Sequence, residues 1–254
     1  MSLDHRAIAR RLARAERAIT VHYSRVTTST QEDARTLLET HRPPFVVVTD
    51  AQTAGRGRLD RSWTTPLGAA VLMTLALERP LSSETLGAVP LIAGVAVTDV
   101  LERAGAAVRL KWPNDVIAIV DGRVRKLGGI IAELTADAVL VGIGINADVA
   151  VPDLPTDDAI SLRQLGVGVD RAELVAGITE GVLGRVSSGL SIDDYRIRCA
   201  TIGTRVRVAR IDGTAVEGVA MSVDVDGTLL VSTDDDVIRI TAGDVQHLRP
   251  HMEG

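Results

Sequence analysis

The sequence predicts an α+β protein: a sheet of successive strands flanked by helices, followed by a small all-β unit. Three observations carry this expectation. Strand-like apolar runs follow one another without the helix between each pair that a doubly wound parallel sheet needs. Two long helical patterns interrupt them, at 83–105 and 171–187. After Tyr195 no helical pattern remains, and Asp-Gly pairs at 212–213 and 226–227 punctuate short β-rich runs. The expected division is 1–195 and 196–254, the second part a barrel of about five strands.

Each element has its own signal. Residues 3–18 place Leu3, Ile8 and Leu12 on one side of a short amphipathic helix. VHYSRV at 21–26 reads as a strand. Ser29 with Glu32 three residues on has capping-box spacing, so a helix is expected over 30–40, ended by Pro43 and Pro44. FVVVTD (45–50) and AAVLMTLAL (69–77) are buried strands on either side of a polar Gly- and Arg-rich stretch. The 83–105 helix closes on Gly105. Strand signals follow at 108–112, 116–120, 127–135 and 138–147, with DGRVR (121–125) as a hairpin tip. Pro152 and Pro155 mark a loop, and a further short helix is expected near 159–165.

Composition narrows the function. With 46% hydrophobic and 2% aromatic residues, the core must be built from Val, Leu, Ile and Ala. The net charge of −5 argues against nucleic-acid binding, which needs a basic face. The single cysteine, Cys199, excludes an intramolecular disulfide and a cysteine metal cage, and suits a cytoplasmic location. The Arg-rich N-terminus has no apolar signal core, and no segment is long enough to span a bilayer. The five histidines show no metal-ligand spacing, and Asp234–Asp236 reads as a hairpin tip.

Four constellations bear on chemistry. In Gly55-Arg56-Gly57-Arg58-Leu59-Asp60-Arg61-Ser62-Trp63, glycines that permit φ > 0 let backbone N–H groups close around an anion, and three guanidinium forks suit phosphate or carboxylate. A solvated basic loop has the same local pattern. Lys111-Trp112-Pro113-Asn114-Asp115 reads as a strand-end turn with Trp112 in the core and Asp115 available to a lysine or arginine. Arg125-Lys126-Leu127-Gly128-Gly129-Ile130 sets a lysine at a strand start beside paired glycines that admit a close approach; a surface lysine at a β-bulge fits equally. Gly142-Ile143-Gly144-Ile145-Asn146-Ala147 matches a loose dinucleotide pattern, but its glycines lie inside a strand and no long helix can follow, so a Rossmann site is rejected.

Taken in order, Ser29-Thr30, Gln52, the GRGR loop with Trp63, KWPND, RKLGGI and GIGIN (142–146) resemble the biotin–protein ligase family over residues 21–190. The β-rich tail is similar to that family's C-terminal barrel, which is like a Src-homology-3 domain. The resemblance implies a mixed catalytic sheet like that of class II aminoacyl-tRNA synthetases. It implies ATP, Mg²⁺ and biotin as reactants, and a biotin carboxyl carrier protein as acceptor. Biotin is then expected against Ser29, Thr30, Gln52, Gly55, Arg56, Arg58, Lys126, Gly128 and Gly129. The adenylate is expected near Arg58, Arg61, Trp63, Lys126 and Asn146. Arg58 and Lys126 take the catalytic role. Lys111, Trp112, Asn114 and Asp115 give support, and no protein metal cage is expected. The loop at 55–61 and the tip at 121–126 are expected to order over the ligand. Gln31 and Leu59-Asp60 depart from the family pattern. The rival readings are a lipoyl or octanoyl ligase of the same fold and a biotin-sensing DNA-binding regulator. The latter is disfavoured by the acidic charge and the roughly twenty residues before the first strand. A homodimer through sheet edges is compatible with the family.

Overall fold

A computed structural model describes residues 2–14, 19–58, 61–79, 83–188, 191–210 and 212–248. Seven strands form one sheet: β1 (Thr20–Thr27), β2 (Phe45–Gln52), β3 (Ala70–Glu78), β4 (Arg109–Lys111), β5 (Asp115–Val120), β6 (Arg123–Leu134) and β7 (Ala138–Asn146). Their order is β1-β2-β3-β7-β6-β5-β4, with β1 parallel to β2 and every other pair antiparallel. The sheet is therefore mixed, as an α+β fold allows. Helices α1 (His5–Leu12), α2 (Thr30–Leu37), α3 (Ser83–Arg103), α4 (Arg171–Ser188) and α5 (Ile192–Arg198) accompany it. A second, antiparallel sheet of five strands comprises β8 (Arg205–Ala209), β9 (Ala215–Val223), β10 (Leu229–Ser232), β11 (Val237–Ile240) and β12 (Asp244–His247). Its order, β11-β10-β9-β8-β12, leaves β11 and β12 as its edges among the described residues.

Strand alternation decides what each face of the large sheet does. Val46 and Val48, then Val71, Met73 and Leu75, then Val139, Val141, Ile143 and Ile145 point into the main core with α3 and α4. The intervening Phe45, Val47, Ala76, Ala138 and Leu140 form a smaller cluster under α2. By the same period of two, Leu72 and Thr74 share that second face, with Gly142, Gly144 and Asn146. Along this strip β7 carries almost no side-chain bulk, and a cavity opens there.

Several expectations need correction. The first helix is shorter than 3–18, and 15–18 lie outside the described residues. No helix forms at 159–165. The Leu162 and Arg163 N–H groups bond the Asn146 and Ala147 carbonyls, and Gln164 Oε1 accepts from Ser161, so tertiary partners claim the groups a helix would use. Helix α5 runs across the expected division at 195/196 and carries no apolar period to announce it, since only Ile192 and Tyr195 of its seven residues are buried. The hairpin tip is Asp121-Gly122 alone, both at positive φ (51° and 69°), as a two-residue type I′ turn demands. Lys126 is therefore the fourth residue of β6 and not at its start.

Candidate active site

A cavity of about 310 Å³ opens where the N-terminus of α2, the end of β2, the bare strip of β7 and the start of β6 meet. Its floor is neutral and polar. Ser29 caps α2, accepting from Gln31 N at 3.3 Å, while Glu32 turns to Arg35 and leaves the capping box half made. Gln52 Oε1 accepts from Thr30 N (2.8 Å) and Thr30 Oγ1 (3.0 Å). Behind them Thr74, fully buried, lies 2.9 Å from Thr30 Oγ1 and 3.2 Å from Gln31 Oε1. Gln31 Nε2 donates to Leu140 O. Two residues before Gln52, β2 is pinned by Asp50, which is 1% exposed and accepts from Tyr23, Ser2, the Leu3 N–H and Arg171. Burial pushes that carboxyl up, but the bonds from Tyr23, Arg171 and Ser2 outweigh it and hold the pKa below its ordinary value.

The rim is charged. Lys126 Nζ pairs with Asp115 Oδ1 at 2.6 Å and stands 5.9 Å from the Trp63 ring centroid. Arg58 donates to Asn114 Oδ1 at 3.1 Å and reaches Gly243 O at 3.5 Å, with no carboxylate at ion-pair distance among the described residues. Burial drives its pKa down, partly offset by Asp115 and Asp244. Arg61 pairs with Asp244, and Arg56 lies 3.8 Å from Glu32. A half-buried guanidinium without an ion-pair partner among the described residues and an ammonium line the same cavity, a pairing of charges chemically suited to an anion.

On either side of residues 59–60, in the stretch from Gly55 to Trp63, the described residues pair: Arg56 bridges Ser62, Gly57 N donates to Arg61 O, and Trp63 N donates to Gly55 O. Neither Gly55 nor Gly57 has a positive φ, so the expected anion nest is not what they provide. They provide room instead. A Cβ on Gly55 would lie 2.3 Å from Trp63 O and 2.4 Å from Gln52 Nε2. Leu59 and Asp60 lie outside the described residues. The β7 glycines act likewise: a Cβ at Gly144 would sit 2.7 Å from the Trp63 ring, and one at Gly142 would sit 2.7 Å from Gln31 Oε1.

The cavity brings together Ser29, Thr30, Gln52, Arg56, Arg58, Arg61, Trp63, Lys126, Gly129 and Asn146, with Lys111, Trp112, Asn114 and Asp115 of KWPND. Gly55 and Gly128 do not line it. Gly128 packs against Ile145 and Gly144, whereas Gly129 leaves space for Lys126 and Trp63. A register shift opposite Leu127 places Lys126 across from Ile117 and Gly129 across from Asp115, so a bulge sits at this point. Asn146 Nδ2 is held by Ile160 O. Trp112 is 1% exposed and joins the two sheets, its N–H donating to Thr201 Oγ1 and its indole to Gly227 O. Asn114 fastens β6 through Ile130 O.

Sequence reasoning missed Thr74, Leu72, Asp244 and Val245, which also line the cavity. A lone threonine in AVLMTLALE was the available signal for Thr74. Asp244 and Val245 come from the second sheet, and no local pattern connects them with the loop that they face.

Residues 23–149 match the model of the biotin/lipoate A/B protein ligase family, and residues 201–248 match the biotin protein ligase C-terminal domain. The chain is 35% identical to the biotin–[acetyl-CoA-carboxylase] ligase of Mycobacterium tuberculosis, over 80% of this chain and 79% of that protein. It is 33% identical to the bifunctional ligase/repressor BirA of Bacillus subtilis, over 88% of this chain and 73% of that one. The biotin protein ligase of Aquifex aeolicus, solved with biotin and ATP, superposes with a TM-score of 0.75 at 24% identity, covering 91% of this chain and 99% of its own. The Leishmania major biotin protein ligase with biotinyl-5-AMP gives 0.63 at 27% identity, over 91% and 98%. With both family models matched in sequence order and the fold shared throughout, this chain belongs to the biotin protein ligase family.

Proposed function

We propose that this chain is an ATP-dependent biotin–protein ligase, which forms biotinyl-5′-AMP and then passes biotin to a lysine of a biotin carboxyl carrier protein. One observation carries the reading: Arg58 and Lys126 enter the same cavity as the neutral Ser29, Thr30 and Gln52 group. A ureido ring needs a few fixed donors and acceptors in an otherwise apolar slot, and a carboxylate meeting ATP needs fixed positive charge.

In the first step a biotin carboxylate oxygen attacks the α-phosphorus. The new O–P bond forms as the bond to the β-phosphate breaks, and pyrophosphate leaves. Arg58 and Lys126 stabilise the charge on the phosphoryl oxygens, and Asp115 keeps the Lys126 ammonium oriented. In the second step the carrier lysine amine attacks the acyl carbon, AMP leaves with the C–O bonding pair, and the amine loses a proton. We assign the adenylate side to Trp63, Arg61 and Asn146, and the shielding of the anhydride to the loop at 55–61 and the tip at 121–126.

Among the described residues no group of three or more His, Cys, Asp or Glu side chains is arranged to hold a metal. The cavity carboxylates described, Asp115 and Asp244, are each paired with a cation. This donor set fits Mg²⁺ that arrives with ATP and is held mainly by phosphate and water. Among the described residues no helix is long and apolar enough to cross a membrane. ATP as reactant and a lone buried thiol, Cys199, favour the cytoplasm. We expect pairing of two copies through the edges at β1 or β4, to be read by sedimentation.

Titration with biotin, followed by Mg-ATP and mass spectrometry, tests the reading. A bound species of the mass of biotinyl-AMP, then a carrier heavier by one biotinyl group, is expected. A carrier heavier by a lipoyl or octanoyl group when the acids compete would overturn it.

A further inference from the structure

Thr74 is the polar exception in a buried strand, with Leu72, Met73, Leu75 and Ala76 around it. A buried hydroxyl is costly unless bonded, and valine would fill the same space. Its partners lie on other elements: Thr30 and Gln31 at the start of α2, and through Thr30 the Gln52 amide at the end of β2.

Backbone partners fix the direction of both amides. Leu140 O can only accept, so Gln31 Nε2 faces it and Gln31 Oε1 faces Thr74. Gln31 Oε1 can only accept, and Thr74 Oγ1 lies 3.2 Å from it and 2.9 Å from Thr30 Oγ1, so the one Thr74 proton is shared between these two acceptors. With its proton shared there, Thr30 directs its own hydroxyl to Gln52 Oε1, which already accepts from Thr30 N. Gln52 Oε1 is thereby occupied, and Nε2, without a protein partner among the described residues, is what Gln52 offers a ligand. Ser29 Oγ accepts from Gln31 N, so its own proton is likewise left to donate. The floor shows donors, the complement of a ligand carbonyl.

Resting on the ligase reading, we propose that Thr74 and Gln31 are positioning residues that hold the cavity floor in this donor polarity and so set its selectivity for acids carrying a ureido carbonyl over plain acyl acids. A site built around such bonds rejects analogues lacking the partner group far more strongly than a merely apolar pocket does. Gly142 belongs to the same device, since a Cβ there would strike Gln31 Oε1.

The test compares wild type with Thr74→Val, Thr74→Ser and Gln31→Met in biotin labelling of a carrier domain, with thermal melts on each. Thr74→Val is expected to raise KM for biotin by about tenfold, with kcat within about twofold and KM for ATP unchanged. Desthiobiotin, which keeps the ureido group, should shift by the same factor, while the inhibition constant of octanoate stays put. Thr74→Ser should restore KM, and Gln31→Met should repeat the Thr74→Val signature, carrying the test if Thr74→Val fails to fold. Wild-type KM for biotin in both disrupting variants, or an equal rise for biotin and ATP, overturns the proposal. A wild-type chain that labels no carrier sinks the ligase reading itself, which separates the two failures.

Discussion

The floor of the cavity and its rim are built on opposite terms. On the floor, Ser29, Thr30, Gln31, Thr74 and Gln52 are tied to one another by neutral hydrogen bonds, and four of the five are nearly or fully buried. At the rim, Arg58 is half-buried and incompletely neutralised, Lys126 has one carboxylate, and Arg61 leans on a residue of the other sheet. A satisfied network holds a fixed shape and recognises; an under-neutralised cluster stores electrostatic demand that a ligand anion meets. The difference teaches where specificity and catalytic power are expected to reside.

The largest effect should come from the rim. Lys126→Ala is expected to slow adenylate formation by about two to three orders of magnitude, with an unchanged melt, read by biotin-dependent pyrophosphate exchange. A near-normal rate would remove Lys126 from the chemistry. The β7 glycines divide the two regions and test them separately. Gly142→Ala drives a methyl into Gln31 and should raise KM for biotin, whereas Gly144→Ala drives one into Trp63 and should raise KM for ATP. Each change is expected to be about ten- to a hundredfold, and identical profiles for the two variants would erase the distinction.

A smaller effect concerns the joint behind the rim. His247 Nε2 bonds Thr201 Oγ1, and burial, then Lys111, lowers its pKa from 6.5. The unfolded chain therefore binds the proton more readily, and stability rises with pH through this range. The contribution is present above pH of about 6.5 and is lost as pH falls through the lower folded value. Thermal melts from pH 7.5 to 5.5 should fall less steeply in His247→Gln than in wild type; parallel curves would dismiss this contribution. Smallest of all, Arg61→Ala removes an exposed pair with Asp244 and should cost at most about 1 kcal/mol, with a difference from wild type that shrinks in high salt.

Much of this was legible beforehand. The strands of the large sheet, α3, α4 and the five strands of the second sheet announce themselves by apolar period and turn residues. Ser29 marks its own helix start. Trp112 reads as a core residue and Asp115 as a cation's partner, and the structure places both so. The failures have specific causes. The helix near 159–165 is lost because its N–H groups extend the β7 backbone pairing. Glycine in a cationic loop suggests a positive φ, yet Gly55 and Gly57 serve close packing against Gln52, Trp63 and Arg61. Gln31 departs from the family pattern, and its place is set only by folding, which spans its amide between Thr74 and Leu140.

Local sequence determined which residues are polar, charged or flexible, and the alternation that puts Gly142, Gly144 and Asn146 on one face follows directly from a strand's period of two. Only the tertiary structure decided which of them meet. Thr74 and Gln31 are 43 positions apart, and Arg58 and Gly243 are 185 apart. Such contacts are set by sheet order and by the joint at Trp112, and nearest-neighbour propensities contain no term for either. Periodicity travels along one chain segment, whereas hydrogen-bond polarity and charge balance are properties of groups that folding brings within a few ångströms.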